Sequence, residues 1–168
     1  MVFEDPKWDF RTLDFDRDMA RAEKLDAARI NALDPDLRPF FARGGKLIQY
    51  HGWSDPQIAP GNSVDYYNSV LDRLGAANVQ DSYRLFMVPG MGHCGGGDGA
   101  ATFDMVTALE QWVEYKRPPA RIVASRVRNA RTGRTRPLCP YPQAAVYQGT
   151  GSTDDESSFV CQSAVKPH

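Results

Sequence analysis

The 168-residue chain has no long apolar run, no strong charge of either sign and few cysteines, and each shortage excludes something. Its apolar runs last only a few residues, whereas a helix that spans a membrane needs about 20. Lys and Arg total 20 against 21 Asp and Glu, a net charge of −1. That balance leaves no electrostatic case for nucleic acid or an anionic membrane as the main partner. The opening MVFEDPKWDF is acidic and aromatic and lacks the basic and apolar regions of a signal peptide. The three cysteines cannot all pair with one another. Cys139 and Cys161 flank a tail rich in Pro, Gly and Ser and could bond. Cys94 would then be a reactive thiol, an intermolecular bridge or a cysteine whose partner lies outside this sequence.

What is present suits a globular domain with a core: 42% hydrophobic and 24% charged residues. Residues 1–15 carry no helical or strand period. Residues 16–33 predict a helix capped by Asp16, with Met19, Ala22, Leu25, Ile30 and Leu33 at helical intervals. Residues 34–45 read as a connector with a short helical piece. KLIQYHGW (46–53) predicts a strand. NSVDYYNSVLDRLG (62–75) predicts a helix capped by Asn62 and ended by Gly75, with Val64, Tyr67, Leu71 and Leu74 as its apolar stripe. YRLFMVPG (83–90) predicts a second strand. Residues 99–119 predict a second helix, buried through Phe103, Val106, Leu109 and Val113 and stopped by Pro118. This is a βαβα unit of an α/β fold. ARIVASRV (120–127) predicts a further strand. The basic run at 126–136 reads as a solvated hairpin or loop, offset in charge by acidic residues 154–156. GTGSTDDESS (149–158) reads as a surface loop.

The strands of a βαβ unit run parallel, so their carboxyl ends share one sheet edge, where open α/β sheets bind ligands. The loop after the first strand, HGWSDPQIAP, carries Asp55. The loop after the second, PGMGHCGGG, carries His93. Neighbouring strands lie about 4.8 Å apart, close enough for the two side chains to meet. An aspartate that holds the tautomer of a histidine is two-thirds of a hydrolytic triad. The serine of such a triad stands on a G-x-S-x-G elbow upstream of the Asp, and this sequence contains no such elbow. Ser54 shares the Asp55 loop and Ser63 starts a helix, so neither occupies an elbow.

Taken singly, Asp55 reads as a turn residue and His93 as a loop residue. Their matching positions at the ends of successive strands favour a site. His51, at a strand end, reads as a core group or a support beside the site, and His168 has no context. Zinc ligands recur at spacings such as C-x2-C, which adjacent His93 and Cys94 do not offer. GGGDG lacks the Lys-Ser/Thr of a phosphate loop. Trp53, Trp112 and the tyrosines read as core and helix face.

FFARGGKLIQYHGWSDPQIAPGNSVDYY, YRLFMVPGMGHCGGG and RTRPLCPYPQAAVYQGTG…FVC resemble the C-terminal half of the tannase and feruloyl esterase family, which includes mono(2-hydroxyethyl) terephthalate hydrolases. The resemblance runs from the first residues to Cys161. It implies the C-terminal part of an α/β-hydrolase domain over 16–168, with 1–15 returning from a lid. It implies that Asp55 is the triad acid and His93 the triad base; His51 and Trp53 are expected beside them. Cys94 matches the cysteine that bonds to one just before the nucleophilic serine, and Cys139–Cys161 matches a family disulfide. The serine, the oxyanion hole and the lid with its calcium site have no counterpart here, so no cofactor is expected in this chain.

The implied function is hydrolysis of small aromatic acid esters such as gallate, ferulate or terephthalate esters. The N-terminal half of the same enzyme is the expected partner, with neither nucleic acid nor membrane involved. The alternative is an inactive orphan fragment or a complementing subunit. A secreted or periplasmic location is implied by the family and fits disulfides, although no signal peptide is visible.

Overall fold

The computed structural model describes residues 2–26, 30–128 and 131–163. They fall into two compact units, one ending at Asp34 and the other beginning at Pro35. In the first, a 3-10 turn at Phe10–Thr12 precedes helix α1, Phe15–Asp26. Asp14, not Asp16, secures the helix start by accepting from the Arg17 amide at 2.8 Å. The predicted helix to residue 33 stops early, because the Asp26 carboxylate captures the amides of Ile30 (2.7 Å) and Asn31 (3.0 Å). Residues 27–29 of that prediction lie outside the described residues. The expected apolar stripe is not buried: Met19 and Leu25 are half exposed, and Ile30 and Leu33 more so. Asp18 is buried instead, held by Arg17 and the Asp14 amide.

The second unit opens with helix α2 (Arg38–Phe41) and strand β1 (Leu47–Gly52), followed by helices α3 (Gly61–Leu74) and α4 (Ala76–Gln80) and strand β2 (Tyr83–Val88). β1 and β2 are parallel, from Leu47 opposite Tyr83 to Gly52 opposite Val88. β2 is buried on both faces, so its side chains alternate between two cores. Tyr83, Leu85 and Met87 pack with Tyr67, Val70 and Val79 of α3 and α4. Phe86 and Val88 pack with Met91, Ala100, Ile122, Ala124 and Leu138. α3 has no side-chain cap, contrary to the role expected of Asn62. The Asn62 and Ser63 amides are satisfied by the Ala59 and Pro60 carbonyls instead.

Helix α5 covers only Met105–Tyr115 of the predicted 99–119. Asp104 caps it by accepting from the Thr107 amide at 2.9 Å. The preceding residues are extended, because Thr102 exchanges backbone hydrogen bonds with Ser125. Its buried anchor is Trp112, while Val106 and Val113 are exposed, which reverses part of the predicted face. The helix ends at Lys116 in the left-handed region, before Pro118.

Strand β3 (Ile122–Arg128) pairs antiparallel with β4 (Arg131–Leu138), so the basic run is a hairpin. Arg134 of that run meets Asp154 at 2.7 Å, the charge offset expected of the acidic segment, while Glu156 pairs with Arg121, outside the run, at 2.8 Å. β5 (Gln143–Tyr147) and β6 (Phe159–Ser163) form a second antiparallel pair. The Gly/Ser stretch 149–158 links them, and Cys139 is bonded to Cys161. Among the described residues no helix is long and apolar enough to cross a membrane.

Candidate active site

The equal register of β1 and β2 brings both carboxyl ends to one level, and the backbone then ties the two following loops together. The Trp53 amide donates to the Val88 carbonyl and the Ser54 amide to the Met91 carbonyl, each at 3.0 Å. Gly52 stands where a Cβ would be driven into the Met91 carbonyl oxygen, so the loops approach this closely only over a glycine. The loop after β2 folds back through a bridge between Met91 and Gly97 and presents His93 and Cys94 at its tip.

Asp55 receives four donors. Its Oδ1 accepts from the amides of Gln57 (2.8 Å) and Ile58 (3.1 Å), an Asx turn over the Asp-Pro. Its Oδ2 lies 2.8 Å from His93 Nδ1 and 3.1 Å from His51 Nε2. The carboxylate side chain is 3% exposed. Burial pushes its pKa up, but the two amides and two imidazoles outweigh burial and hold it well below the usual carboxylate range. A carboxylate only accepts, so His93 carries its proton on Nδ1 when neutral and keeps a lone pair on Nε2. His93 is 35% exposed, and Nε2 has no other partner among the described residues. A base with an oriented ring and a free lone pair can take a proton from a group brought against it.

His51 is more enclosed, at 12% exposure, with Nδ1 2.7 Å from Ser63 Oγ. Gln49 Nε2 donates to the same hydroxyl at 3.0 Å, and Gln49 Oε1 accepts from Tyr83 Oη. The sequence reading missed Gln49 and Tyr83 and gave Ser63 no role. One signal was available: Gln49 is a polar residue inside an apolar strand, two positions from His51 and therefore on its face.

The cleft around these groups has a volume of about 370 Å³ and includes Tyr50, Ile58 and Met91. Trp53, expected beside the site, lines a separate apolar cavity of about 350 Å³ with Met87, Leu138, Tyr141 and Phe159. Cys94 is exposed, has φ +58° and carries no disulfide. His168 lies outside the described residues. Among the described residues no three His, Cys, Asp or Glu side chains are placed to hold a metal ion.

A family model described as tannase and feruloyl esterase matches residues 2–162. An uncharacterized esterase of Xanthomonas campestris pv. campestris is 39% identical over 200 residues, covering 96% of this chain and 35% of that protein. The mono(2-hydroxyethyl) terephthalate hydrolase of Piscinibacter sakaiensis is 47% identical over 135 residues, covering 77% of this chain and 22% of that protein. The crystal structure of feruloyl esterase B from Aspergillus oryzae superposes with a TM-score of 0.84 at 30% identity, over 96% of this chain and 35% of that one. The mixed α/β architecture thus matches part of a larger solved fold, and the chain spans about a third or less of the proteins it resembles.

Proposed function

The chain belongs to the tannase and feruloyl esterase family, and on that premise we propose that it carries the acid and the base of a serine-type carboxylic ester hydrolase for aromatic acid esters. The observation that carries this reading is the 2.8 Å contact from His93 Nδ1 to the buried Asp55 carboxylate, with His93 Nε2 left free at the cleft. His93 Nε2 would take the proton of a serine hydroxyl as its oxygen attacks the ester carbonyl. The imidazolium then returns that proton to the leaving alcohol, and water repeats the sequence on the acyl-enzyme. Asp55 keeps the ring in the Nδ1–H tautomer and stabilises the imidazolium.

The serine would come from the part of the family's length that this chain does not span. Cys94, beside the base, would bond to the cysteine that precedes that serine. The named relatives act on feruloyl and terephthalate esters, which supports an aromatic acyl group for the substrate here. The Cys139–Cys161 bond supports an oxidising, exported location. An acid and base without a nucleophile or oxyanion hole leave no route to acyl transfer, so the chain alone is expected to be inactive.

Co-expression with the serine-bearing portion of a relative tests this reading. A chromogenic aromatic ester should be hydrolysed by the pair and not by the chain alone, and His93→Ala should abolish the activity. Hydrolysis by the lone chain at enzymic rates, unchanged by His93→Ala, would refute the assignment.

A further inference from the structure

Two imidazoles share Asp55 Oδ2, and they cannot be equivalent. If both were cationic, they would compete for one carboxylate charge. The groups behind His51 decide its state. Tyr83 is fully buried, and burial pushes its phenol pKa up, so it keeps its proton. The only acceptor for that proton among the described residues is Gln49 Oε1. This orients the amide: a flipped Gln49 would turn an NH2 toward Tyr83 and leave a buried hydroxyl proton unsatisfied. Gln49 Nε2 therefore faces Ser63 Oγ as a donor, at 3.0 Å. Ser63 Oγ accepts that bond, and among the described residues His51 Nδ1, 2.7 Å away, is the one acceptor within hydrogen-bond reach of its own proton. A nitrogen that accepts from a hydroxyl carries no proton. His51 must then donate through Nε2 to Asp55 Oδ2.

We propose that Tyr83, Gln49 and Ser63 form a directed hydrogen-bond chain that keeps His51 a neutral Nε2–H donor to Asp55, making it a positioning residue rather than a second base. His51 pins the carboxylate oxygen but adds no positive charge, so the full charge of Asp55 remains for the imidazolium of His93. The chain also has one sense. A proton on His93 cannot pass inward through Asp55 and His51, because every link beyond them already donates outward. The catalytic consequence rests on Asp55 being the triad acid; the protonation state of His51 does not.

Long-range 15N–1H correlation spectra of the chain labelled in histidine test this without any activity measurement, so failure here is distinguishable from failure of the esterase reading. Near neutral pH, His51 should show a protonated Nε2 and a bare Nδ1. Gln49→Glu puts an acceptor where a donor stood. The Ser63 proton then turns toward residue 49, and Nδ1 of His51 gains a proton, giving the imidazolium. Ser63→Ala removes the donor to Nδ1 and should likewise increase its protonation, whereas Ser63→Thr keeps the hydroxyl and should leave the wild-type pattern. A wild-type His51 protonated on Nδ1 overturns the proposal, as does a bare Nδ1 in both Gln49→Glu and Ser63→Ala.

Discussion

Asp55 shows how much one side chain does when every lone-pair direction is used. Two amides hold Oδ1, two imidazoles hold Oδ2, and together they keep the carboxyl pKa well below the usual carboxylate range. Asp55→Asn replaces one acceptor oxygen by a donor and turns His93 toward the wrong tautomer. In the assembled enzyme kcat should fall by up to about 10⁴-fold, with KM little changed, in steady-state kinetics. A loss of less than tenfold would show that Asp55 does not govern the tautomer. The pairing with His93 was legible in the sequence, because a βαβ unit has only one way to place its two loops. The support from Gln49, Ser63 and Tyr83 was not, since neither helical nor strand periodicity says which polar side chains meet across 34 or 14 positions.

At the scale of elements, two joints matter: one under the site and one in the C-terminal strands. Gly52 lets the β1 loop lie against the Met91 carbonyl. Gly52→Ala should therefore displace the His93 loop, cost about 1–3 kcal/mol as overpacking does, and lower the urea midpoint. An unchanged midpoint would show that the loops relax freely. The second joint is Cys139–Cys161, which ties β6 to the end of β4 across 22 positions. Cys139→Ser should cost about 3 kcal/mol in the chain-entropy account, and reduced wild type should melt at the same urea concentration. Helix ends were less legible than helix centres. Asp14, Asp26 and Asp104 each decide a boundary through a side-chain bond to a specific amide, and the neighbouring Asp16 or Asn62 looks equally suitable on composition.

For the molecule as a whole, acid should be the first destabilising condition. The Arg17 guanidinium holds the Asp18 carboxyl at about 2, and Arg38 does the same for Asp36. Both lie below the unfolded value of about 3.9. Their stabilisation is complete above that value and is lost as pH falls from about 4 through 2, because the unfolded chain then binds protons that the folded chain resists. Equilibrium urea melts across that window should show the loss, and Asp18→Asn should make it shallower. Stability independent of pH between 4 and 2 would contradict it.

The sequence alone determined the βαβα order, the meeting of Asp55 with His93, and the family. These follow from hydrophobic period, right-handed crossover and long distinctive blocks of residues. Only the tertiary structure decided that α1 leaves its apolar stripe exposed, that β3 pairs with the basic run, and that Trp53 lines a second cavity. It also decided which of two histidines keeps a free nitrogen. The physical reason is common to all four: each depends on which distant group satisfies a buried donor, acceptor or apolar face, and that choice is made by packing rather than by local spacing.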